Sequence, residues 1–486
     1  MPQAPERFDA LIIGGGVIGC AVARELSRYR LRIGVLEKQP DICCETSARN
    51  SAVLHAGYNN EPGSRMAALC VAGNRGFDAL AQELDIPYKR TGKLVVGFTE
   101  EDREALAAMK QAGTRSGVPG LELVSKAFIR EKAPYVGGEF ALWSGSTAIL
   151  NPFRLVFALA ENASVNGVQF FFNSEVTGIS QAEGLYHVQT AAGAYAARWV
   201  INCAGLFSDA IAAMLGLRDY AVYPCRGEYF VLDKRIGHLL PLPVYPVPNY
   251  KTGGLGIHLT PTMEGNILVG PSTEYIGARG DYAATRRVMD TLLQEGARIF
   301  PHLQKEYFIR NFAGIRPKLT PQGVGGYHDF VMERRGNAIH LIGIESPGLT
   351  AAVPIAHEVI RLLQEAEPLR EKPAFNPRSK RFCTFADKPA QEQAELIRQN
   401  PDYGEIICRC ETITKAEVLA AMRGPLGAST ITGVKYRCRA MMGRCQGGYC
   451  QTRIARLLQQ EKGIPCDQLL YGRAGSNLFT GSVREP

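Results

Sequence analysis

A glycine-rich turn near the start of the chain constrains the fold more than any other feature. A buried strand (8–13), a GGGVIG turn, a helix with an apolar period (22–30) and a second buried strand (31–36) follow one another. Three glycines of this stretch form the pattern G-x-G-x-x-G, namely Gly14, Gly16 and Gly19. This order is typical of a dinucleotide-binding β-α-β unit.

The spacing after the glycines indicates how a dinucleotide would bind. The first glycine permits the tight turn, the second lets the backbone approach the pyrophosphate, and the third lets helix and strand pack closely. Glu37 ends the second strand, where an acid accepts the ribose hydroxyls. Residues 200–205 (VINCAG) and 340–352 (HLIGIESPGLTAA) predict further turns against the cofactor. The sequence has no second complete fingerprint, so we expect one bound FAD rather than a separate nicotinamide site.

Further candidate cofactor-binding residues follow these strands and fill the loop after the nucleotide unit. They are Lys38, Ser47, Arg49, Asn50, Ser51, Val176, Ala204, Gly205, Gly343, Gly348, Leu349 and Thr350.

Four cysteines near the C-terminus predict a second redox centre. They read C-x-C, then 34 residues, then C-x4-C, at Cys408, Cys410, Cys445 and Cys450. Four thiolates in two close pairs can hold a 2Fe–2S cluster, which carries one electron at a time. Structural zinc is the alternative, but zinc cysteines are usually separated by two to four residues, and the C-x-C pair is tighter.

The composition limits the class of protein. The chain has 486 residues, 46% hydrophobic and 21% charged, which allows two to four globular domains. Thirteen irregularly spaced cysteines in a chain that opens without a secretion signal make disulfides unexpected. No apolar run approaches the roughly 20 residues of a membrane span. We expect a cytoplasmic protein, with peripheral attachment to the inner face of the membrane through partners left open.

The charge is concentrated at the C-terminal end. The chain has a net charge of +8, and residues 401–486, with 12 Lys/Arg and 7 Asp/Glu, supply +5 of it. A nucleic-acid footprint is one interpretation. We prefer another, because three arginines surround the second cysteine pair and would offset thiolate charge: Arg437, Arg439 and Arg444.

The elements predict an α/β fold with a Rossmann-like FAD-binding domain, an antiparallel-sheet substrate domain and a small, mainly helical iron–sulfur domain. Helical patterns fall at 65–84, 101–112, 152–164, 284–298, 349–366, 414–423 and 449–462, and strand-like runs at 221–275. We expect an oxidoreductase unit (1–370), a linker (371–403) and a 2Fe–2S unit (404–486). In the first unit, the FAD-binding parts are about 7–80, 150–220 and 330–370, and the substrate-binding parts about 81–149 and 221–329.

Two long strings carry a resemblance to a known family. TSARNSAVLHAGY (46–58) and EPGSRMAALCVAGN (61–74), with the fingerprint, resemble the FAD-dependent D-amino-acid oxidase superfamily over about 7–365. Within it, the chain looks like the branch of glycerol-3-phosphate and L-2-hydroxyglutarate dehydrogenases. ICRCETIT (407–414) and MGRCQGGYC (442–450) resemble the bacterioferritin-associated-ferredoxin-like 2Fe–2S domain, which also ends the large subunit of anaerobic glycerol-3-phosphate dehydrogenase.

The resemblance implies roles for five further residues. His55 would be the base that takes the hydroxyl proton beside the flavin, and Arg316 would hold the anionic group of the substrate. Ser346 would lie by the substrate. Lys251 and His258 would come from the substrate sheet and are weaker candidates.

The expected function is that of an FAD-dependent dehydrogenase for a small anionic secondary alcohol. The first choice is sn-glycerol 3-phosphate, oxidised to dihydroxyacetone phosphate, with electrons passing through the cluster to a partner subunit or a quinone-linked chain. L-2-Hydroxyglutarate is the alternative. GLGIHLTP (254–261) looks like the L-2-hydroxyglutarate dehydrogenase branch, whereas HAGY (55–58) and GIRPKL (314–319) look like the glycerol-3-phosphate dehydrogenase branch. An amino-acid or imino-acid dehydrogenase, and a non-catalytic flavin-binding redox or RNA scaffold, remain as further alternatives. No nucleic-acid partner is expected.

Overall fold

The computed structural model describes residues 5–248, 255–324 and 327–481. The helices of these residues, in chain order, are α1 (Val17–Leu26), α2 (Arg65–Leu84), α3 (Glu100–Arg115), α4 (Lys126–Lys132), α5 (Pro152–Val165), α6 (Ser208–Met214), α7 (Arg286–Ile299), α8 (Gly348–Gln364), α9 (Ala390–Gln399), α10 (Lys415–Arg423), α11 (Ile431–Cys438) and α12 (Gln451–Lys462).

The strands of the same residues, in chain order, are β1 (Glu6–Ile13), β2 (Ile33–Leu36), β3 (Val53–Leu54), β4 (Tyr88–Lys89), β5 (Lys93–Gly97), β6 (Leu121–Ser125), β7 (Phe140–Ser144), β8 (Ala148–Leu150), β9 (Gln169–Phe171), β10 (Val176–Ala182), β11 (Leu185–Thr190), β12 (Gly193–Asn202), β13 (Tyr223–Leu232), β14 (Val244–Pro246), β15 (His258–Pro261), β16 (Ile267–Gly270), β17 (Glu274–Tyr275), β18 (Phe308–Lys318), β19 (Val331–Arg335), β20 (Ala338–Ile342), β21 (Ile406–Cys408) and β22 (Ile413–Thr414).

The first large sheet is mixed and carries the nucleotide fingerprint. Its central strands β9, β2, β1, β12 and β20 run parallel, while β10–β11 and β19 add antiparallel edges. Helices α1, α5 and α8 cover one face and share a continuous apolar core with the sheet. Because β1 and β2 are buried on both faces, the sequences ALII at the end of β1 and IGVL in β2 contain no polar side chain.

The second large sheet forms the predicted substrate domain. Its nine strands are ordered β17-β13-β16-β15-β14-β5-β7-β6, with β18 also paired to β13, and only the β14–β5 pair is parallel. A second core lies beneath it, against α7. The predicted fold class, a Rossmann-like domain with an antiparallel-sheet domain and a small helical unit at the C-terminus, is confirmed.

Most long helices lie where the apolar period predicts them, and α8 continues through Pro354. The segment expected to be a linker (371–403) differs, because it contains α9, none of whose residues is buried. The sequence analysis missed α9 because it read the Pro-, Lys-, Arg- and Gln-rich composition of the whole segment as that of a linker. Before α9, the chain lies on the first unit, where Asn162 Nδ2 donates to the carbonyl oxygens of Asn376 and Arg378. No helix in the described ranges is both long and apolar enough to cross a membrane.

A buried ion pair joins the C-terminal unit to the first. Both terminal nitrogens of Arg437 donate to the carboxylate of Asp41, at 2.6 and 2.8 Å, and both side chains are almost fully buried. The guanidinium lies 4.0 Å above the Phe157 ring, and Tyr436 stacks on Phe153 at 4.3 Å. Residues from the two units therefore form one contiguous interior.

Removal of one partner of this pair should uncouple the two units. In Asp41→Ala, the Arg437 charge stays buried without a counter-charge, and we expect docking to lose about 3–5 kcal/mol. Urea unfolding followed by near-UV circular dichroism should then show the C-terminal unit unfolding first. The matched control is Glu461→Gln, which breaks the exposed pair with Arg423 and should cost less than about 1 kcal/mol. Equal effects of the two variants would contradict the assigned role.

Candidate functional site

The glycine turn brings the start of α1 against the ends of β1 and β12. Gly14 has a left-handed backbone (φ +111°), and a Cβ added there would sit 2.6 Å from the carbonyl oxygen of Cys203. A Cβ on Gly19 would overlap the carbonyl oxygen of Gly14. At the helix start, the Val17 amide donates to Ser47 Oγ at 2.9 Å. This close approach of α1 to β1 and β12, the glycine crossing, leaves no room for side chains at Gly14 and Gly19. It also presents the N-terminus of α1 to the cavity beside it.

Glu37 lines that cavity at the end of β2. Its carboxylate accepts hydrogen bonds from the amides of Gly15, at 2.6 Å, and Gln39, at 2.8 Å. Burial nevertheless raises the pKa of Glu37 to about 7. Each oxygen keeps a lone pair for a further donor, such as a hydroxyl.

Most of the predicted site residues meet in one cavity of about 370 Å³, which both large sheets line. These residues are Gly14, Gly16, Glu37, Lys38, Ser47, Arg49, Asn50, Ser51, His55, Val176, Ala204, Gly205, His258, Arg316, Ser346, Gly348 and Leu349.

The remaining predicted residues lie elsewhere. Gly19 lies beneath the crossing, and Gly343 has a left-handed backbone (φ +69°) in the turn after β20. Thr350 does not line the cavity, but its Oγ1 accepts the backbone N–H of His55 at 3.0 Å. Lys251 lies outside the described residues.

Two histidines face the cavity, and they differ in the hydrogen bonds that their ring nitrogens make. His258 is buried, with Nδ1 3.0 Å from the Gly256 carbonyl oxygen and Nε2 3.2 Å from Ser51 Oγ. Among the described residues, the hydrogen-bonding group near His55 Nε2 is Ser346 Oγ, at 3.5 Å. Burial, and then the positive charge of Lys93, lower the pKa of His55 to about 3. Both imidazoles are therefore neutral at physiological pH, and His55 is the one with a ring nitrogen available to a ligand.

Arg316 comes from β18 and lines the cavity, and no carboxylate of the described residues forms an ion pair with it. The buried Glu345, which pairs with Lys318, lines the same cavity and acts on Arg316 only from a longer distance. Its Nη2 donates to the Ser272 carbonyl oxygen at 3.2 Å, and Nη1 lies 3.7 Å from Cys225 Sγ. A Cβ on Gly227 would come within 2.7 Å of Arg316 Nη2, so glycine at that position makes room for the guanidinium. The remaining N–H groups are free to bind an anion.

Sequence reasoning missed the aromatic wall of the cavity and the lysine behind it. Tyr245 stacks on His258 with ring centres 3.7 Å apart, and Tyr229 shares a hydrogen bond with Ser51 at 3.2 Å. Lys93 Nζ lies 4.1 Å from the centre of the Tyr245 ring. Aromatic residues in predicted strands resemble core residues, so only the strand register that brings them together reveals the wall.

The four predicted cysteines come together in the C-terminal unit as two pairs. Cys408 and Cys450 are buried and lie within hydrogen-bonding reach of each other, and Cys410 and Cys445, both exposed, do the same. Within the described residues, no three His, Cys, Asp or Glu side chains converge on a point that could hold a single metal ion. The two neighbouring pairs together supply four thiolates, the ligand set of a 2Fe–2S cluster.

Backbone amides point at the sulfurs. The amides of Glu411 and Met441 face Cys408, the amide of Cys445 faces Cys410, and those of Gly447 and Tyr449 face Cys445. Met441 and Gln446 have left-handed backbones (φ +67° and +48°), as such a turning loop requires. Amide hydrogen bonds to sulfur stabilise thiolates and help to set the potential of a cluster.

The three arginines expected beside the thiolates are engaged elsewhere. Arg437 pairs with Asp41, Arg439 Nη1 with Glu264 at 3.0 Å, and Arg444 Nη2 with Asp233 at 2.8 Å. Their nearest partners are therefore carboxylates of the first unit, and they hold the two units together. Arg444 also lies within electrostatic reach of Cys410, which, after the bond to Asp233, helps to raise the pKa of its guanidinium, as expected of an arginine beside the thiolates.

Comparison with known proteins identifies the cavity. The model of the family described as "FAD dependent oxidoreductase" matches residues 9–362, which include the glycine crossing and every described residue of the cavity. The chain belongs to the FAD dependent oxidoreductase family. A second model, "BFD-like [2Fe-2S] binding domain", matches residues 406–460 of this FAD dependent oxidoreductase, which hold the four cysteines.

Relatives and solved structures agree with both matches. A glycerol 3-phosphate dehydrogenase of Caloramator mitchellensis is 36% identical over 98% of this oxidoreductase and 99% of its own length. The human mitochondrial L-2-hydroxyglutarate dehydrogenase is 30% identical over 74% of the chain and 89% of its own. The FAD-bound L-α-glycerophosphate oxidase of Mycoplasma pneumoniae superposes with a TM-score of 0.72 and 31% identity, covering 77% of this chain and 98% of that one.

The residues present fit both cofactors. The side-chain-free crossing, the open helix start and Glu37 suit the adenosine diphosphate of FAD, and the amides at the start of α8 suit its ring. The two thiol pairs with their amide donors suit 2Fe–2S. The cofactors of this oxidoreductase are therefore FAD, held by the first unit, and a 2Fe–2S cluster, held by the second.

The crossing yields a direct test of the FAD site. Gly19→Ala should lose bound FAD, because the new methyl group would displace α1 from the Gly14 carbonyl. The flavin-to-protein ratio of the purified variant measures this. Gly76→Ala is the matched control, since it also lies within a helix but nothing lies within 4 Å of the added Cβ. Normal flavin content in Gly19→Ala would refute the close approach.

Proposed function

We propose that the protein oxidises sn-glycerol 3-phosphate to dihydroxyacetone phosphate and passes the electrons through its cluster to a one-electron acceptor. The observation that carries this proposal is the presence, in one cavity, of a guanidinium without an acidic partner (Arg316) and a neutral imidazole (His55). The Caloramator glycerol 3-phosphate dehydrogenase supports it, because its similarity extends over 98% of the chain.

Arg316 is the residue proposed to bind the phosphate. A guanidinium can bind a phosphate through two parallel hydrogen bonds, and near neutral pH the phosphate carries up to two charges. Partial burial strengthens the attraction. Held in this way, the substrate would lie with its secondary hydroxyl within the same cavity as His55.

His55 is the proposed proton acceptor. Its Nε2 has only the long contact with Ser346, whereas both nitrogens of His258 are engaged. Binding of an anion nearby would raise the pKa of His55, so the base becomes stronger when substrate is present. The hydroxyl proton then passes to His55 Nε2 as the C–H bond breaks.

Bound FAD would supply a hydride acceptor, and the cluster a carrier that takes the resulting two electrons singly. We place the exit of the electrons at the exposed pair, Cys410 and Cys445. Beside this pair, the Arg409 guanidinium lies 4.3 Å above the exposed ring of Tyr449. Exposed tyrosine and arginine are typical of contact sites for protein partners, either a partner subunit or the entry to a quinone-linked chain.

L-2-Hydroxyglutarate is the second candidate, favoured by the human dehydrogenase at 30% identity. This substrate carries two separated carboxylates and needs a second cation. Two arginines line the described cavity. The charge of Arg316 acts on His258, whereas Arg49 lies over the Tyr282 ring and donates to the Ala313 carbonyl oxygen. A single compact anion is therefore the better match.

Anaerobic substrate addition tests the proposal. Glycerol 3-phosphate should bleach the flavin absorption near 450 nm (a property of the cofactor itself) faster than L-2-hydroxyglutarate, L-proline or glycine at equal concentration. A flavin that stays oxidised with all four substrates would refute dehydrogenation at this site, and preference for hydroxyglutarate would select the second candidate.

Arg316→Ala is the companion variant. Because it removes charged hydrogen bonds to the anion, KM should rise roughly 10- to 100-fold. Arg115→Ala, an exposed arginine on α3, is the control and should leave KM unchanged. An unchanged KM in Arg316→Ala would exclude this residue from anion binding.

Removal of one exposed cluster ligand tests the role of the cluster independently of that of the flavin. Cys445→Ala should lose the paramagnetic signal of the reduced 2Fe–2S cluster and fail to reduce a one-electron protein acceptor. Substrate should still bleach its flavin. Cys466→Ala, another exposed cysteine of the same unit, should retain all three properties. Iron in Cys445→Ala at the wild-type ratio, or zinc in the wild type, would contradict the assignment.

A further inference from the structure

A lysine ammonium is buried beside the candidate active site without an acidic partner among the described residues. Lys93 opens β5 and is 0% exposed. Its Nζ has no hydrogen-bond acceptor in the described ranges and lies over two rings, 4.1 Å from the centre of Tyr245 and 4.7 Å from that of Tyr58. Since an uncompensated buried charge is destabilising, its presence calls for a functional explanation.

The ammonium is connected to the cavity through stacked groups. The Tyr245 ring beneath it stacks on His258, with planes 11° apart, and His258 Nε2 meets Ser51 Oγ at 3.2 Å. Both His258 and Ser51 line the cavity. Lys93 therefore lies directly behind the wall against which a substrate would rest.

The groups that face Lys93 come from several elements and include no carboxylate in the described part of the chain. They are Tyr58 from the loop before α2, Cys70 from α2, His55 from the segment after β3, Tyr245 from β14 and His258 from β15. Burial lowers the pKa of Lys93 to about 7, and the Lys93 charge in turn contributes to the low pKa of His55.

We propose that Lys93 is a positioning residue whose buried positive charge keeps the His55 imidazole in its proton-accepting form. The inference rests on the proposed function, because it concerns the same proton transfer. Burial is the larger cause of the neutral His55 imidazole, and a cation behind the wall disfavours its protonation further, most strongly below about pH 7, where Lys93 keeps its own proton. An anionic substrate offsets that charge when it binds, and His55 then gains proton affinity only in the loaded cavity.

Rapid anaerobic reduction of the flavin over a range of pH tests the proposal. In Lys93→Met, the acid limb of the limiting reduction rate, which reports the substrate complex, should move to higher pH. We expect about half to one pH unit, the size of the effect of a unit charge over several ångströms at intermediate dielectric. Lys93→Arg keeps the charge and should keep the wild-type limb, and the distant Lys110→Met should do the same. An unmoved limb in folded, flavin-loaded Lys93→Met would overturn the proposal.

A second measurement needs no substrate. The unfolded chain keeps the Lys93 proton up to about pH 10.4, whereas the folded protein releases it near pH 7. Stability should therefore rise with pH across this window in the wild type, and less steeply in Lys93→Met. Parallel curves of Tm against pH would show that Lys93 is not a buried unpaired group and would overturn the proposal. If glycerol 3-phosphate reduces no variant while the curves differ, only the proposed function fails.

Discussion

The ion pair between Asp41 and Arg437 determines where the second redox centre can lie. Arg437 also donates to the carbonyl oxygens of Leu426 and Gly433 within its own unit, and these bonds orient the guanidinium toward Asp41 of the first unit. Loss of either partner while the units stay docked would leave the other charge buried and uncompensated, which is far more costly than the loss of an exposed pair. Asp41 lies only four residues after Glu37, in the segment that lines the FAD cavity. The segment from Glu37 to Asp41 therefore shapes the FAD cavity and also binds the C-terminal unit, which carries the cluster ligands.

Buried positive charge that forms no ion pair among the described residues is the second organising feature. Arg316 and Lys93 surround the substrate end of the cavity, and Lys435 is buried on α11, where burial and neighbouring arginines hold its pKa well below the usual range. An anionic substrate would compensate the charges of Arg316 and Lys93. A cluster with four thiolates would bring negative charge near Lys435, because the charge of Cys450 raises the pKa of Lys435, whereas the neighbouring arginines lower it. Electrostatic complementarity of this kind favours anions at both centres over neutral ligands.

The sequence predicts those parts of the protein whose signal is local. The glycine pattern, the helical periods and each of the two cysteine pairs lie within short stretches of sequence. The structure forms the expected glycine crossing and brings the two cysteine pairs close to each other. The ion pair of Asp41 and Arg437 joins residues 396 positions apart, so the sequence analysis gave Arg437 a local role beside the thiolates instead. Lys93 was missed for a related reason. In KLVVG, a lysine at the start of an apolar strand is expected to reach solvent, and only the packing of Tyr58 and Tyr245 over it shows that it does not.

The two cysteine pairs also differ in a way that gives the cluster a direction. Cys408 and Cys450 are buried within the core of the C-terminal unit, on the side of Lys435, whereas Cys410 and Cys445 reach the surface beside Tyr449. In the proposed reaction, the inner pair faces the source of electrons and the outer pair faces the acceptor. Electron transfer requires proximity but no fixed covalent path, so this asymmetry is enough to separate entry from exit. It also allows the chain to deliver electrons to a large partner that does not enter the substrate cavity.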